Sequence, residues 1–305
     1  MKLKQTAAAP ILLLAVFALT AIFKMLPAEY SGIDTDPYLA AVIIQLVIFA
    51  IPSLLFCTLR GNDYSGTLRI RFPRPSCIIL MICAIVLMSA GGSVIDYFMS
   101  TLAPELMAEE GGAAYVGAIE NMGPFDGLYM LLAFAVLPAV TEEFLFRGIV
   151  LTEYSNVSVS CSVIMSSLMF AMCHFSLVRF PSYFFCGIVL GALTYATRSV
   201  IAAIVVHALY NVSVMVFGEY IIHLADKSNI TGILFVIIAA IIALGAASLA
   251  AFEASSIYKG YADNNVDSEY VPKKKRSLPS ALLGSMFSPF FLLLVVMFIV
   301  MTLIP

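Results

Sequence analysis

Charge is scarce in this sequence. Asp, Glu, Lys and Arg make up 11% of its 305 residues, against roughly 25% in ordinary soluble domains. Hydrophobic residues make up 62%, and the mean hydropathy is +1.01. A water-exposed globule of this length would lack the polar side chains to cover its surface, so a soluble fold is excluded. A basic face is lacking too: 16 Lys and Arg stand against 19 Asp and Glu, for a formal charge of -3, which offers nothing to nucleic acid. The six cysteines (Cys57, Cys77, Cys83, Cys161, Cys173, Cys186) are scattered through apolar runs without the close Cys or His spacing of a zinc ribbon, and read as small buried hydrophobes. There is no defensible internal repeat. No small-x-small cleavage site follows the apolar run after Met-Lys-Leu-Lys, so that run reads as a retained anchor.

What is present is a series of long apolar stretches. A helix needs about 20 apolar residues to cross a bilayer core, and about nine stretches meet or approach that length, near residues 8–27, 39–58, 77–99, 128–150, 160–178, 182–197, 199–218, 231–252 and 282–304. The expected fold is an all-α polytopic membrane protein, a core of about eight helices with one extra C-terminal transmembrane helix appended. The expected organisation is N-terminal helices over 1–124, a core over 125–252, a cytoplasmic loop over 253–281 and the last helix over 282–305. Positive charge orients the array. With the N-terminus and its Lys2 and Lys4 in the cytoplasm, the inner loops also carry Arg60, Arg69, Arg71, Arg74, Arg198, Lys259, Lys273, Lys274, Lys275 and Arg276, and the outer loops only Lys24, Arg179 and Lys227. The C-terminus then lies outside, and Lys273–Arg276 reads as a solvated cluster that enforces topology next to anionic lipid.

Five ionisable residues fall inside the predicted spans, where a charge costs at least about 2.5–3.5 kcal/mol: Glu142, Glu143, Arg147, His174 and His207. Glu143 and Arg147 are i and i+4, acid first, the favourable order for a helical ion pair. Glu142 points about 100° away round the helix, free for chemistry. Pro138, one turn earlier, is expected to kink this helix. Two adjacent acids beside one base exceed what a packing salt bridge needs. His174 shares a face with Phe170 and, alone, reads as an interhelical hydrogen-bonding group. His207 and Asn211 are again i and i+4, two donors aimed into one small volume, as stabilisation of an oxyanion requires.

The ordered set Glu-Glu-x-x-x-Arg, Phe-x-x-x-His and His-x-x-x-Asn on successive apolar helices resembles the type II CAAX prenyl endopeptidase family, also called CAAX-processing and bacteriocin-processing or Abi proteins. The resemblance covers about residues 125–215, Gly187 and Gly191 of the intervening helix included. It implies a glutamate-dependent intramembrane protease of the cell membrane, bacterial in its short loops, with no cofactor or metal. Its substrate would be a membrane-associated or lipid-modified peptide or protein. By the same resemblance Glu142 and His174 activate water, Glu143 and Arg147 orient and balance the pair, and His207 and Asn211 form the oxyanion hole.

Two rivals use the same residues. Glu142, Glu143, His174 and His207 could ligate zinc, although no His-Glu-x-x-His is present and Arg147 would set a positive charge beside the cation. A proton-coupled transporter or a bacteriocin-immunity scaffold could also bury Glu and His, but has no need of the Asn211 amide. Glu142 and His174 can share one depth only if the fourth helix runs past residue 150 and the fifth begins later than residue 160. The cavity is expected to open toward the cytoplasm or sideways into lipid.

Overall fold

Apolar runs with no water to satisfy their backbone must close their hydrogen bonds internally, and every regular element among the described residues is helical. The structure is a computed structural model that describes residues 5–25, 37–109, 126–225, 230–263 and 277–303. Lys2, Lys4, Lys227 and the Lys273–Arg276 cluster lie outside them.

The main helices are α1 (Gln5–Met25), α2 (Tyr38–Arg60), α3 (Ile78–Leu102), α4 (Gly127–Ser155), α5 (Val159–Met172), α6 (Phe180–Thr197), α7 (Val200–Leu224), α8 (Ile230–Asp263), α9 (Leu278–Met286) and α10 (Pro289–Leu303). Of the nine expected spans, seven are helices long and apolar enough to cross a membrane. The ninth is the bent pair α9 and α10, with a 65° break. The fifth is a correction: α5 has 14 residues, about 21 Å, too short for a core of roughly 30 Å.

Short α5 is what brings the site together. The fourth helix runs past residue 150, to Ser155, as required, but α5 begins at Val159 rather than later than residue 160. A tight turn at 156–158 joins them. Along the chain, Glu142 stands 13 residues before Ser155, the end of α4, and His174, just past the end of α5, 15 residues after Val159. The two antiparallel helices therefore carry both residues to one level. Phe175 then reverses the chain with φ of 48°, a left-handed conformation that bulky residues rarely adopt. Its ring is held edge-on to Phe17 of α1, with centroids 4.8 Å apart, and beside Phe298 of α10.

Helix α4 is buried on all sides from Leu145 to Tyr154, and the charges of Arg147 and Glu153 within that stretch are paired inside the protein. One core cluster packs α1, α5 and α10 around it, and a second joins α3, α6 and α7 with α8 against them. The C-terminal helix, extra to the bundle, supplies Phe291, Leu294 and Phe298 to the first cluster. Helices α5 and α6 approach closely at Gly187, where an added Cβ would lie 2.8 Å from the Ser167 Cβ and 2.9 Å from its Cα, the small-residue packing that lipid-embedded helices use.

The expected 253–281 loop starts late, because α8 is 34 residues long and stays helical to Asp263. At about 51 Å it overshoots the hydrocarbon core. The loops assigned to the inside meet at one end of the bundle. Arg60 is ion-paired with Glu153, and Nη1 of Arg69 donates to the Thr152 hydroxyl. Nε of Arg71 donates to the Arg198 carbonyl, and the Val200 amide to the Arg69 carbonyl. The guanidinium groups of Arg74 and Arg198 both lie over the Tyr261 ring. In the same loop, burial and the neighbouring Glu153 push the Tyr64 phenol far above its usual range. Arg179 sits elsewhere, 3.9 Å from Asp96.

Candidate active site

Pro138 cannot donate a backbone hydrogen bond, and α4 does not kink simply there. It winds as π-helix over Leu132–Val136, as α-helix over Leu137–Glu143 and as π-helix again over Phe144–Val150. Such stretches concentrate at functional sites. The wide turns offer their carbonyls to neighbours: Ala135 O accepts from Nδ2 of Asn211 at 3.4 Å, and Phe146 O from the Ser166 hydroxyl at 2.9 Å. The Glu142–Glu143 pair ends the α-helical segment between the two π stretches.

The i, i+4 ion pair forms as its spacing requires. Arg147 Nη1 donates to Glu143 Oε1 at 2.7 Å, with both side chains fully buried. Arg147 also donates from Nη2 to the Gly187 carbonyl at 3.1 Å and lies 4.6 Å from the centroid of the Phe170 ring. The close approach of α6 at Gly187 is thus what delivers a carbonyl to the guanidinium. Nδ1 of His207 lies 2.9 Å from the same Glu143 oxygen. Glu143 Oε2 and Arg147 Nε are buried without a hydrogen-bond partner among the described residues, an unusual cost that sites built for function tolerate.

His174 is held by the residue one turn before it. Its Nδ1 lies 2.9 Å from the Phe170 carbonyl. A carbonyl can only accept, so Nδ1 carries the proton and Nε2 keeps its lone pair. The ring stacks on Tyr183 at 3.8 Å between centroids and 20° between planes. Phe170 is the hub, edge-on to His174 at 4.8 Å, to His207 at 5.8 Å and to Phe146 at 5.3 Å.

His174, His207 and Asn211 line one cavity of about 50 Å³, with Phe170, Tyr183 and Tyr210 completing much of its wall. That is room for water. Glu142 is not among the lining residues, nor does it share a hydrogen bond with His174. It keeps 8% of its surface exposed where Glu143 and Arg147 keep none, and its Oε1 accepts from Nε2 of Gln45 at 3.3 Å.

All six residues singled out in the sequence therefore gather where α4, α6, α7 and the end of α5 meet. Gln45, Thr141 and Tyr183 belong to the same constellation without having been singled out. Gln45 carried a usable signal, as a side-chain amide that, like Asn211, stands inside an apolar span; Tyr183 carried none. Among the described residues, no three His, Cys, Asp or Glu side chains converge to hold a metal ion. Of the two acids a zinc site could draw on, Glu143 is committed to Arg147 and His207.

Residues 124–213 match the family described as Type II CAAX prenyl endopeptidase Rce1-like. The matched stretch includes Glu142, Glu143, Arg147, His174, His207 and Asn211, and stops short of α8, α9 and α10. No curated protein and no solved structure matches the chain.

Proposed function

Since residues 124–213 of this multi-pass membrane protein carry the Rce1-like, type II CAAX prenyl endopeptidase pattern, we propose that it is an intramembrane glutamic endopeptidase. It hydrolyses a peptide bond of a membrane-associated or lipid-modified peptide. The observation that carries this reading is the fixed tautomer of His174, whose Nδ1 proton is spent on the Phe170 carbonyl and whose basic Nε2 is left beside His207 and Asn211 in one cavity.

Water held between Glu142 and His174 gives up a proton as its oxygen attacks the scissile carbonyl carbon. General-base help of this kind is worth about 10²–10⁴-fold. The carbonyl oxygen becomes an oxyanion that accepts hydrogen bonds from His207 Nε2 and the Asn211 amide. Collapse of the tetrahedral intermediate expels the amine, which takes the proton that the water lost. For His207 to donate from Nε2 while Nδ1 serves Glu143, the ring must be imidazolium. Two positive groups, Arg147 and His207, then balance two carboxylates, Glu142 and Glu143. In that state the four groups sum to zero charge, which low-dielectric surroundings tolerate better than a net charge. Glu142, with residual exposure and no cation bound to it, is the carboxylate left for the water.

The gathering of the inner-loop arginines at one end of the bundle supports a cytoplasmic N-terminus and an outside C-terminus; the short loops are the ground for a bacterial cell membrane. Incubation of the purified protein in detergent with lipid-modified and amphipathic peptides tests the activity. Peptide cleavage that is lost in Glu142→Gln is the expected result. No cleavage of any such peptide, with proton-coupled uptake in vesicles instead, would replace the protease by a transporter.

A further inference from the structure

The Rce1-like match begins at residue 124, yet a residue far upstream reaches the carboxylate assigned as base. Gln45 is buried in the π-helical stretch Ile44–Ala50 of α2, facing α4. Its Nε2 lies 3.3 Å from Glu142 Oε1, and its Oε1 lies 2.5 Å from the Thr141 hydroxyl. A carboxylate only accepts, so the amide nitrogen must face Glu142 and the amide oxygen must face Thr141. The hydroxyl has one proton and three oxygens in reach, the other two being the carbonyls of Leu137 at 3.0 Å and Pro138 at 3.3 Å. The shortest contact, to Gln45, takes it.

We propose that Gln45 is a positioning residue, oriented by Thr141, that holds one oxygen of Glu142 and presents the other to the reacting water. The inference rests on Glu142 being the base of the proposed protease. The other groups facing Glu142 are Glu143 and Arg147 on α4, His207 on α7 and Cys173 at the end of α5. None of them donates a hydrogen bond to it among the described residues, so Gln45 supplies the side-chain hydrogen bond that orients it. Helix α2 thereby becomes part of the active site, and the wide π turn is the local device that aims a short amide across the helix interface.

The test uses the purified full-length protein and an internally quenched peptide that the wild type cleaves. Gln45→Met keeps length and bulk while removing both polar atoms. It is expected to lower kcat by about tenfold to a hundredfold, the worth of a hydrogen bond to a charged group, with KM and the melting temperature little changed. Thr141→Val acts through Gln45, so Gln45→Met with Thr141→Val is expected to be no slower than Gln45→Met alone. An infrared readout needs no turnover: the carboxylate band of Glu142, located by difference from Glu142→Gln, is expected to shift in Gln45→Met and, by less, in Thr141→Val. An unchanged kcat with an unshifted band, or multiplicative losses in the double variant, overturns the proposal. Should Glu142→Gln itself retain cleavage, the protease assignment of Glu142 fails, and the band still decides whether Gln45 holds that carboxylate. Should Gln45→Met not fold, Thr141→Val carries both readouts, and no change in either counts against the proposal.

Discussion

His207 and Arg147 share one acceptor: Nδ1 of the histidine lies 2.9 Å, and Nη1 of the arginine 2.7 Å, from Oε1 of Glu143. The carboxylate thus joins α4 to α7 and sets the histidine ring, so stability and catalysis meet in one atom. Removing one member of a buried pair strands the other, at a typical cost of about 3–5 kcal/mol. Arg147→Ala and Glu143→Gln are each expected to lower the melting temperature as well as activity. Glu143→Leu combined with Arg147→Met should recover much of the stability and none of the activity. Thermal melting and peptide cleavage on the same samples separate the two effects, and a double variant as unstable as the singles would contradict this account.

Glu142 behaves differently because it holds no cation. Glu142→Gln keeps size and hydrogen bonding and removes the base, so cleavage should vanish with melting unchanged. His174→Ala should come close to the same result. Chelators should leave the wild type active. Inactivation by a chelator, reversed by zinc, would favour the metalloprotease.

Asn211→Ala removes one of two oxyanion donors and leaves His207 in place. The loss of one such donor costs about 10²–10³ in rate where it has been measured. Residual turnover in that range, at little cost in stability, is expected in a single-turnover assay; abolished cleavage with an intact fold would give Asn211 a larger role.

Gly187 is where α6 touches α5 and hands its carbonyl to Arg147. The nearest atoms to an added Cβ belong to Ser167, one of them backbone, and they cannot swing away. Gly187→Ala should therefore push the helices apart, at about 1–3 kcal/mol for overpacking, and draw the carbonyl off the guanidinium. Gly187→Ala combined with Ser167→Gly should restore only part of the melting temperature, because the Ser167 Cβ is gone while its Cα remains 2.9 Å away.

Phe298 of α10 packs on Phe175 and Phe180, the residues that flank the turn after His174. Phe175 stands in a left-handed conformation that costs of order 1–3 kcal/mol and persists because its neighbours hold it. Phe298→Ala should loosen that turn and lower kcat, although residue 298 lies outside the matched segment. Hydrogen exchange at residues 173–179, faster in the variant, is the measurement that reads it.

Much of this protein is legible in its sequence because lipid permits so little. Where water is absent, an apolar run of twenty residues has one backbone solution, and hydropathy alone marks seven of the spans. The Glu143–Arg147 pair is equally legible: contacts four residues apart are made by the helix itself, whatever surrounds it. Ordered motifs on successive helices likewise single out His174, His207 and Asn211.

Contacts between distant residues were decided by packing. Glu142 and His174 reach one level because α5 stops after 14 residues, and nothing in the run 160–178 distinguishes a short buried helix from a full span. The π turns that flank Glu142 and carry Gln45 arise from how α2 and α4 settle against their neighbours, and they determine which side chain faces which. His207 was legible as an oxyanion donor, but its bond to Glu143 spans 64 positions and depends on the angle between α4 and α7. Local geometry and solvent chose the helices and the residue types of the site; the lengths, crossing angles and close approaches of the packed bundle chose the partners, because only there do side chains far apart in the chain come within hydrogen-bonding distance.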